Sequence, residues 1–422
     1  MLKDQYGNGL TTSSHAARDG YVAALDLMLE GQGGIRAGFQ SVVEADARFA
    51  LGWVGLARAY QYAGDMPAAL NAIETAKSLT SGVSAREVSH VAALDLMLSG
   101  RLAEAYSAIR EHVQAFPRDA LVAQTCSSVF GLIGFSGQPG REAEMLAFNA
   151  GLLPHYGEDW WAISQYAFAL CETGNLLKAD MLIDRALSLN PRNAHGVHVR
   201  SHVSYELGET ETGRAFLSEW MTDYSPAGVM FTHLNWHEAL WALEQGDINH
   251  MWEKVDAAVA PEANSGGPAI NILTDTASIL HRATMAGVEV SQGRWASLSD
   301  YAQTAFPKTG NAFIDVHAAL THAMAGRQAA LEAIIDHPAG PAADLVPDLA
   351  RGFGAVARQD WTAVVDHMTA AMSDLARIGG SRAQRDMVEQ TLLTALMALD
   401  KKEEAQVIAT LRRPVLAEQF AA

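Results

Sequence analysis

From Ala50 onward the sequence repeats one helix–turn–helix pattern at a period of about 34 residues, and that rhythm restricts the chain to a stack of helical hairpins. The first clear unit, "ALGWVGLARAYQYAGDMPAALNAIETAKSL", carries Trp53, Leu56, Ala57, Tyr60, Gly64, Ala69, Ile73 and Ala76. Small residues stand where paired helices approach, large ones fill the gaps, and Gly64 permits the turn. The same marks recur in phase. The stretch from Arg86 has Gly100, Ala105 and Pro117; that from Trp160 has Gly174, Ala179, Ala186 and Pro191. Units from Ala194 and Thr232 turn at Gly208 and Gly246, and irregular copies are expected over 16–49 and 118–159.

This spacing resembles the tetratricopeptide unit. The fold class it implies is all-α: a tetratricopeptide-like α-solenoid with a C-terminal helical arm closing on the concave face. The rhythm breaks after Ala260, where "PEANSGGPAIN" is rich in the residues of turns. Four regions follow: a tail over 1–15, repeats over 16–259, a connector over 260–272 and less regular helical repeats over 273–422.

A formal charge of −18 argues against a nucleic-acid partner, which calls for a basic surface. The two cysteines, Cys126 and Cys171, are too few for a disulfide framework. No apolar run approaches the roughly 20 residues that span a bilayer, and the first residues lack the apolar stretch of a secretion signal. A cytoplasmic protein without membrane contact is expected, with a homodimer as the default assembly.

Fifteen histidines are present, and five of them fall in two short stretches, "NAHGVHVRSH" and "THLNWHEALW". In a tetratricopeptide unit the first helix lines the concave surface through its second, fifth, ninth, twelfth and thirteenth residues. Counted from Ala194, these are His195, His198, His202, Tyr205 and Glu206, so three imidazoles form one stripe. His233 takes the second position of the next unit, with His237 one turn below. First helices of neighbouring units pack about 8–10 Å apart, which lets the two stripes converge. Two pairs of histidines spaced four apart offer nitrogen ligands to a divalent metal, zinc or iron. Glu206, Glu238, Asp275 and Asp315 are the carboxylates to consider beside them. Glu87 and His90 occupy inward positions of an earlier unit, and Trp161 and Cys171 inward positions of the Trp160 unit.

Five stretches, "NAHGVHVRSHVSYELG", "HLNWHEALWALEQGD", "TDTASILHR", "FIDVHAALTHAMAGR" and "IGGSRAQRD", resemble the tetratricopeptide repeat protein 38 family, over about Ala50 to Arg413. The most specific block is Gly379, Gly380, Ser381, Ala383, Gln384, Arg385 and Asp386. The resemblance implies a shared polar site at His198, His202, His233, His237, Asp315 and His317. The chain departs from the family at Tyr166 and Arg382, where histidine is expected, and at His281, where tryptophan is expected. Arg382 and Arg385 then suit an anionic group. The block also has a structural reading: glycines at a helix end, Ser381 as an N-cap, and Arg385 and Asp386 paired to other helices.

Two functions stay open on these residues. One is an enclosed pocket acting on a small molecule, hydrolytic or oxidative and metal-assisted. It would use His198, His202, His233 and His237 as ligands, with His195, Asp275, Asp315 and His317 as catalytic groups. Trp161, Tyr166, Tyr205, Trp236 and Arg382 would contact the substrate. The other is a non-catalytic repeat scaffold whose groove holds a peptide or protein partner.

Overall fold

The computed structural model describes residues 1–412. Two short antiparallel strands, β1 (Leu2–Lys3) and β2 (Gly9–Leu10), precede the helices. Hairpins then follow one another: α1 (His15–Glu30) with α2 (Ile35–Ala45), α3 (Ala50–Tyr62) with α4 (Met66–Ser78), and α5 (Ala85–Leu98) with α6 (Leu102–Ala115). The next unit has a single-turn α7 (Ala120–Ala123) before α8 (Arg141–Tyr156). Regular pairs return in α9 (Trp160–Glu172) with α10 (Leu176–Leu189), α11 (Ala194–Leu207) with α12 (Thr210–Met221), and α13 (Phe231–Glu244) with α14 (Ile248–Lys254).

The second half continues with α15 (Ala269–Met285), α16 (Gln292–Ala305), α17 (Ala312–Met324), α18 (Gln328–Asp336), α19 (Val346–Ala357), α20 (Trp361–Met372), α21 (Arg382–Ala398) and α22 (Lys402–Arg412). The architecture is the expected all-α, tetratricopeptide-like solenoid. Its turn glycines Gly64, Gly100, Gly174, Gly208 and Gly246 all have φ between 73° and 81°, a region that side chains with a Cβ rarely enter.

The irregular copy expected over 118–159 differs from its neighbours in its first helix, which stops after one turn. "TCSSVFGLIGFSGQPG" then runs as turns to Gly140. Serines and glycines that favour turns over helix explain the break. The connector is non-helical from Asn264 to Pro268, after a short 3-10 turn at Pro261–Ala263 and a π-helical turn at Val255–Val259, and α15 takes in its last residues from Ala269.

The C-terminal arm closes on the concave face. Gly379 and Gly380, at φ 99° and 71°, reverse the chain beneath the rings of Phe135 and Phe313. Ser381 then starts α21 with a capping box to Gln384. α21 lies across α15 and α11. It is tied there by Arg282, which donates to the Ala383 carbonyl at 2.7 Å and to Gln390 at 2.7 Å. Tyr205 Oη donates to Asp386 at 3.0 Å, and Arg385 is paired with Glu142. The two arms of the structural reading of the Gly379–Asp386 block, helix end and helix-to-helix pairing, are both observed. On the N-terminal side, α1 meets α11, and Gln32 donates to the Arg192 carbonyl at 2.6 Å.

Candidate functional site

α11 and α13 are neighbouring inner helices whose polar inward stripes sit in otherwise buried surroundings. His198, His202, His233 and His237 are 8%, 0%, 4% and 1% exposed, and one ring nitrogen of each lies within 4.8 Å of the others. The walls are aromatic. Phe168 of α9 lies against His198 and His202, with ring centroids 5.4 and 5.1 Å away, and Trp236 stacks on His233 at 4.9 Å.

One carboxylate joins them. His233 Nδ1 is 2.8 Å from Asp275 of α15, which also accepts from Asn271 at 3.3 Å. With its Nδ1 proton committed to Asp275, His233 turns a bare Nε2 inward. That atom is 3.0 Å from His198 Nε2, which is itself 2.8 Å from His202 Nε2. A neutral imidazole nitrogen carries either one proton or one lone pair, so His198 Nε2 satisfies one of these two contacts and leaves the other unmatched. His237 has no hydrogen-bond partner on either ring nitrogen among the described residues. Burial, reinforced by the neighbouring imidazoles, pushes both His198 and His237 well below the ordinary histidine range. Both are neutral, the form in which histidine ligates a metal.

His195, expected in the same hollow, stands apart from this set. Its ring lies against Gly31 at the end of α1, because it is one turn nearer the start of α11, where that helix meets α1. Burial there pushes it down to about 4. The other catalytic candidates are engaged separately. Asp315 accepts from the Gly310 amide at 3.0 Å, and His317 Nδ1 bonds the Phe313 carbonyl at 2.7 Å. Glu238 turns away from the histidines to Ser218, His250 and Lys254.

The residues expected to touch a substrate are also occupied. Trp161 and Trp236 are 1% and 0% exposed and pack on Tyr156 and His233 respectively. Tyr166 accepts from Lys178 at 3.0 Å. Tyr205 sits between Asp386 and Arg282. Arg382, expected to offer charge to an anion, faces Glu206 at 3.5 Å, and its backbone N–H donates to Glu172 at 2.9 Å.

A second buried cluster was not anticipated as a unit. Asp119 receives Arg86, His90 Nδ1 at 2.9 Å and His112 Nε2 at 3.2 Å, all on one carboxylate oxygen. Only His90 was marked by its inward position; Asp119 lies in the turn after α6, where helical periodicity carries no information.

No family model matches the chain. Among solved structures it is similar to a human IFIT1 dimer with m7Gppp-AAAA, at 15% identity and TM-score 0.47, over 100% of this chain and 98% of that one. It is also similar to the Cut9–Hcn1 hetero-tetramer of APC/C, at 10% identity and TM-score 0.38, over 97% and 96% of the two chains. The TPR domain of P58(IPK) aligns at 14% identity and TM-score 0.22, over 91% and 98%. The fold of the described residues is a run of helical hairpins, an all-α solenoid. No helix among the described residues is long and apolar enough to cross a membrane.

Proposed function

We propose that this protein is a metal-binding helical repeat protein, in which His198, His202, His233 and His237 hold one divalent transition metal between α11 and α13. The observation that carries the reading is the mismatch at His198 Nε2, together with the unpartnered, 1% exposed ring of His237. A cation resolves both, because it accepts every inward lone pair at once. Tetrahedral zinc, with bonds of about 2.0–2.1 Å, sets its nitrogen ligands about 3.3 Å apart. The histidines need only small ring movements to reach that spacing. Asp275 then fixes the tautomer and orientation of His233, as carboxylates behind ligating histidines do.

The proposed role is a staple that locks adjacent repeats, in a protein that acts as a non-catalytic scaffold. Four imidazoles fill a tetrahedral zinc ion, whereas catalytic zinc keeps one position open. The engagement of His195, Asp315 and His317 elsewhere supports the same choice over metal-assisted hydrolysis or oxygenation. The sequence likeness of the Gly379–Asp386 block and the histidine stretches supports assignment to the tetratricopeptide repeat protein 38 family.

Metal analysis of untagged protein tests this. About one equivalent of a transition metal is expected, lost in a His202→Ala/His237→Ala variant that remains helical. Less than about a tenth of an equivalent, with no change in melting temperature on chelation, removes the proposal.

A further inference from the structure

The first twelve residues show what the concave surface recognises. β1 and β2 are two residues each, too short to be stable as a free hairpin. Of residues 1–12 only Leu10 is buried, so what holds the segment is its seat on the inner helices. That seat is specific. Arg86 donates to the Gly9 carbonyl at 2.8 Å, and Glu87 accepts from the Thr11 amide at 2.8 Å and from its hydroxyl at 2.5 Å. Leu10, between them, is 0% exposed. Asn8 donates to the Arg118 carbonyl at 2.9 Å, and the Tyr6 ring meets Tyr156 edge-on at 5.1 Å.

Two main-chain atoms are thus read by an ion-forming pair of side chains, one apolar residue fills a pocket, and a hydroxyl is selected by a carboxylate. This is how a groove recognises an extended peptide: main-chain hydrogen bonds give affinity, and pockets for particular side chains give specificity. Arg86 and Glu87 are at the start of α5. Burial alone would raise the Glu87 carboxyl; the hydrogen bonds from Thr11 and Ser84 outweigh it and hold Glu87 below its ordinary value, so the receptor charge is present near neutral pH.

We propose that the surface formed by Arg86, Glu87, Arg118 and Tyr156 is a docking site for an extended polypeptide carrying a Gly-Leu-Thr pattern, and that residues 2–12 hold it in cis. A partner segment with a small residue, a buried aliphatic residue and a hydroxyl residue in succession competes for the same contacts. The surface is separate from the four-histidine centre, so the two proposals stand or fall independently.

The test uses the full chain and a fluorescein-labelled peptide of residues 2–12. A Leu10→Asp variant disables the cis segment and leaves the receptor intact. The peptide is expected to bind this variant saturably and to bind the unaltered chain at least about tenfold more weakly, because the receptor there is mostly occupied. Adding Glu87→Gln, which keeps the capping box with Ser84, weakens peptide binding by about tenfold. A folded Leu10→Asp chain that ignores the peptide overturns the proposal. Hydrogen exchange of the unaltered chain covers the case in which Leu10→Asp fails to fold. Amides of residues 2–12 are expected to exchange through an opening that leaves α3 and α5 protected; exchange only with global unfolding overturns the proposal.

Discussion

Among the described residues two buried groups have the residue types of a metal site, and their hydrogen bonds divide them. Around Asp119 most contacts close: Arg86, His90 and His112 converge on one carboxylate oxygen, the far nitrogen of His112 meets Ser89 at 2.9 Å, and His90 Nε2 is the one ring nitrogen without a hydrogen-bond partner among the described residues. The guanidinium already supplies the positive charge, so a cation entering there meets repulsion. Burial would raise the Asp119 carboxyl, yet its His90, His112 and Arg86 partners hold it well below the usual range. Around His198 the accounting fails to close. His198 Nε2 faces two other Nε2 atoms and can satisfy one of them, and His237 has no hydrogen-bond partner among the described residues. Residue type marks both groups; ring nitrogens turned toward one another without a counter-charge between them mark one, since Arg86 already sits on the Asp119 carboxylate and His90 Nε2 stands alone there. The Asp119 group is a lock between helices, and the four histidines are the group to which the metal proposal applies.

The largest effect expected from this contrast is at the lock. Asp119→Asn leaves Arg86 buried without its counter-charge, which costs about 3–5 kcal/mol. Urea unfolding reads that loss, and the metal content of the folded protein stays the same. If the metal disappears with Asp119, the division between the two groups is wrong.

Acid separates them further. His281 and His317 are 0% and 1% exposed, outside the ligand set, and burial pushes them down to about 3 and about 4. Their folded values lie below the unfolded value of 6.5, so the unfolded chain binds the extra protons and stability falls as pH drops below that value. Each group costs about 2 kcal/mol between pH 6.5 and 5. Asp119 behaves differently: its contribution is complete above its unfolded value of 3.8 and is lost only as pH falls toward its lower folded value. Unfolding midpoints from pH 8 to 5 are therefore expected to fall, and a His317→Gln variant to fall less. A flat profile rejects neutral burial of these rings.

The repeat frame made the helical hairpins and the inward direction of four histidines legible, because a 3.6-residue period reports which face a residue occupies. It does not report position along a helix relative to distant elements. His195 shares the stripe of His198, yet it meets Gly31 beside α1, a contact set by how the first hairpin meets the middle of the solenoid. The carboxylate was open for the same reason. Glu206, Glu238, Asp275 and Asp315 were all candidates, only Glu206 of them by inward count, and packing of α15 against α13 selects Asp275. Turn residues such as Asp119 and Gly9 have no period, so neither the lock nor the seat of residues 2–12 was readable.

The smallest effect is the sharpest test of the four-histidine reading. Asp275→Asn keeps an acceptor beside His233 Nδ1 and nearly the same volume, so packing changes little. What it removes is the charge that makes His233 a stronger ligand. Metal affinity is expected to fall by about 10–100-fold, measured by competition with a chelator of known strength. The unfolding midpoint of the metal-free protein should hardly move. At the lock the same Asp→Asn exchange does the reverse, a large stability loss with metal unaltered. A carboxylate that orients a ligand and one that neutralises a buried arginine differ in this pair of readouts. If Asp275→Asn instead destabilises the metal-free chain as strongly as Asp119→Asn, then Asp275 is a second lock, and His233 is held for packing rather than for an ion.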